Sequence, residues 1–113
     1  MKLHDRQEGE VVVIEFAGKI IPGEEITSFH RRVHFYLDLK KKWFVVDLEK
    51  VEWISSAGLG ALIGAYASVR KAEGKLVLAN VTNVQSLLNL TQLVRVFETF
   101  DSLAAAVQAI QRE

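Results

Sequence analysis

The sequence predicts an α/β domain with a largely parallel inner sheet, and three observations carry that expectation. Trp43-Phe44-Val45-Val46-Asp47-Leu48 and Lys75-Leu76-Val77-Leu78-Ala79-Asn80 are short apolar runs, the kind found in strands covered on both faces. A helical pattern lies before each of them, so strands and helices alternate along the chain. Strands linked through helices are joined by right-handed crossovers, which makes them parallel neighbours.

Each element has its own local cause. Val11 to Ala17 reads as a strand because β-branched residues crowd it, and Gly9-Glu10 before it suggests a turn from a short strand near Leu3 to Gln7. Gly18-Lys19 and Pro22-Gly23 punctuate its exit. From Glu24 to Lys40, Ile26, Phe29, Val33, Tyr36 and Leu37 fall on one helical face, which Phe35 and Leu39 are expected to widen. Glu24 and Glu25 at its start and Lys40, Lys41 and Lys42 at its end suit the helix macrodipole. A second helix is expected over residues 57–73. One side carries Leu59, Leu62, Ile63, Tyr66 and Arg70, and the other Ala57, Gly60, Ala61, Gly64, Ala65 and Ser68. Gly74 is expected to end it through positive φ. Thr82-Asn83-Val84-Gln85 has the form of a capping box opening a short helix with Val84, Leu87 and Leu88 inward. A short strand over Leu93 to Phe97 follows, then a last helix capped by Asp101 with Leu103, Val107 and Ile110 as its stripe.

With 113 residues the chain has room for one domain, 1–113, without linker, repeat or low-complexity segment. Half the residues are apolar and a quarter charged, which suits a globular fold, and the formal charge of zero supplies no bulk field for nucleic acid or an anionic membrane. Absence of cysteine excludes disulfides, thiol chemistry and Cys-ligated metals. Met1 to Arg6 is charged and lacks the apolar core of a signal peptide. The most apolar run, Ala57 to Val69, is too short to span a bilayer. A cytoplasmic protein without membrane insertion is the expectation.

The chemistry gathers at Val51 to Gly60, where an apolar run leads into a helix through two serines. A helix start presents unpaired N–H groups and the positive end of the dipole, so it can hold a cap, an anion, a phosphorylated side chain or a nucleophile. A serine hydrolase fails because Gly-x-Ser-x-Gly is absent and His4, His30 and His34 all precede the serines. A dinucleotide site fails because Gly58-Leu59-Gly60-Ala61-Leu62-Ile63-Gly64 is one residue too long and Asn80 stands where an acid should bind ribose. No Walker loop is present. His30 and His34 lie one turn apart without a third ligand, so they are expected on a solvated face with no metal and no cofactor. Arg31-Arg32 and Lys40-Lys41-Lys42 lack interleaved aromatics and read as a solvated face with no nucleic-acid role. What remains is Ser56 as an N-cap accepting from Gly58 or Leu59. Gly58, Gly60 and Gly64 each cost about 1 kcal/mol relative to Ala in a helix, which makes sense where a strand or a partner protein approaches closely.

Val45-Val46-Asp47-Leu48, Val51 and Ile54-Ser55-Ser56-Ala57-Gly58-Leu59-Gly60 together resemble the signature of STAS domains of the anti-sigma factor antagonist type. The resemblance continues through Gly74-Lys75-Leu76-Val77-Leu78 and Leu87-Leu88-x-Leu90-Thr91-x-Leu93, covering nearly the whole chain. It implies a mixed, mostly parallel β-sheet of four to five strands backed by about four helices. It also implies a binding module, not an enzyme, with no catalytic residue. Ser56 aligns with the serine phosphorylated by an anti-sigma factor that doubles as a serine kinase; a serine phosphatase is a further partner. The unphosphorylated antagonist binds the anti-sigma factor and frees the sigma factor. Pro22, Gly23, Ser55, Ser56, Ala57, Gly58, Leu59 and Gly60 form the expected contact surface, on a monomer or weak homodimer. Ser55 and Ile21 stand where acids are often found in the family. The same resemblance also fits a STAS subunit of a lipid ABC transporter or an anion transporter, or a small-ligand-binding STAS domain.

Overall fold

The computed structural model describes residues 2–21, 23–81 and 97–111. β1 (Lys2–Glu8), β2 (Val11–Ile20), α1 (Glu24–Asp38), β3 (Trp43–Ile54), α2 (Ser56–Lys71), β4 (Lys75–Ala79), β5 (Thr99–Phe100) and α3 (Leu103–Gln111) follow one another in the chain. They build a five-stranded sheet of order β1-β2-β3-β4-β5, with β1 antiparallel to β2 and the remaining pairs parallel. The expected mixed, mostly parallel sheet is therefore present. Because β2, β3 and β4 advance in one direction across it, right-handed crossovers place α1 and α2 on the same face.

That face holds the larger core. Val12, Ile14 and Phe16 of β2, Phe44, Val46 and Leu48 of β3 and Leu76 and Leu78 of β4 meet Phe29 and Val33 of α1 and Leu59, Leu62, Ala65 and Val69 of α2. On the opposite face Val11, Val13, Val45, Val77 and Ala79 pack under Ala106, Val107 and Ile110 of α3. Burial on both faces explains why the inner strands lack a period of two.

Several boundaries and faces differ from the sequence expectation. β3 continues past Leu48 to Ile54, because Val51 and Ile54 keep burying apolar surface beyond the exposed Glu49-Lys50 pair. Phe35 and Leu39 do not join the core: they are 58% and 52% exposed on the flank of α1. Arg70 is exposed, and the buried face of α2 is Gly58, Leu59, Ala61, Leu62, Ala65 and Val69. Glu73, not Gly74, takes the positive φ after α2, at 66°. Gly74 is needed instead for close approach, since a Cβ there would lie 2.4 Å from the Lys42 carbonyl oxygen. The last helix is capped by Ser102 Oγ, which accepts from Ala105 N–H at 3.1 Å, and not by Asp101. The helix expected from Thr82 and the strand expected at Leu93 to Phe97 lie outside the described residues, apart from Phe97, which is a buried bend. Among the described residues there are three α-helices, and none is long and apolar enough to cross a membrane.

Candidate functional site

Parallel pairing of β2 with β3 brings two chain exits together, because Ile20 sits opposite Ile54. The backbone then locks them: Ser55 N–H donates to the Ile20 carbonyl at 2.9 Å. Ser55 keeps extended φ and ψ and its Oγ accepts from Gly58 N–H at 2.9 Å, which makes it the N-cap of α2. This corrects the expectation for Ser56. Ser56 is the first residue of the helix, exposed, with its hydroxyl unused by the cap. Leu59 N–H closes the first turn onto the Ser55 carbonyl at 2.8 Å. The N–H groups of Ser56 and Ala57 are left without a partner among the described residues, as helix geometry requires of a first turn.

The glycines divide by purpose. A Cβ on Gly58 would stand 2.7 Å from the Ile20 carbonyl oxygen and 2.8 Å from Ile20 Cγ2, so Gly58 lets α2 start directly against the end of β2. A Cβ on Gly60 would meet nothing within 4 Å. Gly64 lies near His30, whose Cε1 would be 3.5 Å from an added Cβ. His30 is half-buried between α1 and α2. Burial holds its pKa below the ordinary 6.5, and electrostatic repulsion from the neighbouring His34 acts in the same direction.

Of the eight residues expected on the contact surface, Gly23, Ser56, Ala57 and Gly60 are exposed and Ser55 is half-buried. Gly58 and Leu59 face inward, Leu59 with 2% of its surface exposed, and shape the surface from beneath. Pro22 lies outside the described residues; Gly23 is the N-cap of α1. Two exposed apolar residues adjoin the paired strand ends at the site: Ile21, already singled out in the sequence, and Trp53, which was not. Trp53 is 53% exposed one position before Ile54, and Ile21 is 47% exposed one position after Ile20. The apolar pair Val51 and Ile54 beyond Glu49-Lys50 was the available signal for the longer strand that carries Trp53.

Asp47, the buried carboxylate nearest in sequence, is occupied structurally: its Oδ1 accepts from Glu49 N–H at 3.0 Å and Asn80 Nδ2 at 2.8 Å. No group of three metal-ligating side chains occurs among the described residues. The site is thus an exposed hydroxyl at the positive end of a helix, beside two free N–H groups, with the exposed apolar residues Ile21 and Trp53 adjoining the paired strand ends Ile20 and Ile54.

The sequence matches the STAS domain family over residues 2–106, and the chain belongs to that family. Solved structures agree in fold. An anti-sigma factor antagonist from Mycobacterium paratuberculosis superposes with a TM-score of 0.79 at 22% identity, over 97% of this chain and 93% of that one. The anti-sigma factor antagonist SpoIIAA in its unphosphorylated form gives 0.76 at 16% identity, over 98% and 96%. A sulfate transporter family protein from Wolinella succinogenes gives 0.70 at 20% identity, over 90% and 85%. Among curated proteins none matches this sequence significantly.

Proposed function

We propose that this chain is an anti-sigma factor antagonist, a binding module whose partner is an anti-sigma factor with serine-kinase activity and whose switch is Ser56. The observation that carries the reading is the division of labour between the two serines. Ser55 spends its hydroxyl on the cap, whereas Ser56 offers a free, exposed hydroxyl at the site's surface. The surface itself comprises Gly23, Ser56, Ala57 and Gly60, with Ile21 and Trp53 as apolar anchors, and Gly58 and Leu59 support it from below.

Phosphate on Ser56 adds about −1.5 to −2 charges at neutral pH. Within the domain the free N–H groups and the helix dipole accommodate that charge, so the fold persists. In a docked complex the same charge loses its water and faces the partner, and the complex dissociates. Sequestering the anti-sigma factor frees its sigma factor, and a serine phosphatase resets the switch. This reading places the protein in the cytoplasm and assigns it no cofactor.

Incubation with the cognate kinase and ATP tests the proposal by mass spectrometry and titration. Phosphate is expected on Ser56, and Ser56→Asp is expected to abolish tight binding while Ser56→Ala retains it. Phosphate on another residue, or unchanged affinity in Ser56→Asp, overturns the switch. The transporter-family neighbour supports a second reading, in which the same surface docks a transport subunit. Co-purification with a membrane ATPase in place of a soluble kinase would select it.

A further inference from the structure

We propose that the outer flank of α1 is a two-fold contact between two copies of this chain, centred on Phe35. The proposal does not depend on the function of Ser56. Phe35 and Leu39, spaced one turn apart, are both more than half exposed, and they are two of the four large apolar side chains exposed among the described residues. The other two, Ile21 and Trp53, adjoin Ile20 and Ile54, the paired strand ends at the serine site. From Gly23 to Phe35 the helix rises about 18 Å, at 1.5 Å per residue. The Phe35 flank therefore lies at the other end of α1 from that site.

Charge on this flank is self-complementary. Arg31 lies four residues before Phe35 and Asp38 three after it, so the two project from the same side of the helix. Two turns separate them, about 10 Å of rise, which is beyond the spacing at which side chains of one helix pair. Neither takes part in an ion pair among the described residues. In an antiparallel pairing about Phe35, Arg31 of each copy faces Asp38 of the other, twice, and the two Phe35 rings meet. Leu39 of each copy then lies over the aliphatic stem of the other's Arg32, whose guanidinium is held by Asp5.

The same balance argues against other occupants. An anionic lipid surface or an acidic peptide would attract Arg31 but repel Asp38. A copy of the same face satisfies both, and the protein's zero formal charge adds no long-range repulsion. One helix per subunit makes a contact below the roughly 1,000 Å² of stable interfaces, so self-association is expected at about 0.1–1 mM.

Sedimentation equilibrium from about 10 µM to 1 mM reads the outcome. Wild-type protein is expected to move from monomer to dimer. Phe35→Glu and Leu39→Glu should remain monomeric with unchanged melting, since both side chains are exposed. Arg31→Asp alone and Asp38→Arg alone should each weaken association at least about fivefold, and the double variant Arg31→Asp/Asp38→Arg should restore it. A wild-type monomer at the highest concentration overturns the proposal. So does a dimer indifferent to Phe35→Glu, or a double variant as weak as its single parents. Flotation of monomeric protein with phosphatidylserine vesicles, lost in Phe35→Glu, would also overturn it and assign the flank to a membrane surface.

Discussion

Gly58 and Gly60 stand two residues apart in the first turns of α2 and do opposite things. Gly58 is pressed against the carbonyl that ends β2, whereas Gly60 looks into open space. The adjacent serines divide the same way, with the Ser55 hydroxyl folded back into the cap and the Ser56 hydroxyl free. One side of this helix start is fixed by the needs of the fold. The other side is under no such constraint, and residues there that no packing requires are available to a partner.

Breaking the inward side should give the largest effect. Gly58→Ala places a methyl group against backbone that cannot swing away, so a loss of about 3 kcal/mol is expected, near the upper end for overpacking, read by chemical denaturation. A variant as stable as wild type would mean that β2 yields and the contact is not a constraint. On the outward side, Ser56→Asp should leave stability within about 0.5 kcal/mol but weaken partner binding roughly a hundredfold, about 2.7 kcal/mol. Calorimetric titration with the proposed anti-sigma factor partner measures this, and equal affinities would remove Ser56 from the proposed interface.

The serine contrast is sharpened by Ser55→Ala, which loses the cap and about 1 kcal/mol, whereas Ser56→Ala changes stability by less than about 0.5 kcal/mol. The reverse order in thermal melts would return the cap to Ser56. Gly60→Ala, with nothing for its methyl group to strike, should stabilise the helix by up to about 1 kcal/mol while reducing partner affinity. Unchanged affinity would show that Gly60 lies outside the docking surface.

The smallest effect concerns the other glycine neighbour, His30. Its folded pKa lies below 6.5, so the unfolded chain binds the proton more readily. Stability from His30 is therefore complete above pH 6.5 and is lost as pH falls toward the lower folded value. Denaturation at pH 7.5 and 5.5 should show a smaller difference in His30→Gln than in wild type. An identical difference in the two proteins would assign the acid sensitivity to another group.

The order of strands and helices was readable because each rests on local pattern. A β-branched run marked β2 and a short apolar run marked β3, the Ile26–Phe29–Val33 spacing marked α1, and Gly74 marked the end of α2, although for a different reason than expected. The serine–glycine stretch was readable as a helix start for the same cause. Side-chain roles within it were less so. The residue pattern points to Ser56 as the cap, but Ser55 makes it, because the choice depends on where the backbone leaves β3. Phe35 and Leu39 extend the apolar stripe on paper, yet the sheet beneath α1 is already filled by Phe29 and Val33, so the flank remains open.

By itself, the sequence determined the alternation of elements, the parallel inner sheet and the position of a helix start rich in N–H groups. Those properties follow from periodicity and from backbone hydrogen bonding within a few residues. Only the tertiary structure decided which serine is free, which glycine is required by packing, and that Trp53 and Ile21 stay exposed beside paired strand ends. Those answers turn on Ile20, thirty-five residues before Ser55, whose carbonyl accepts from Ser55 and crowds Gly58 once β2 and β3 pair. A contact across a sheet has no period along the chain, and so it appears only when the strands meet.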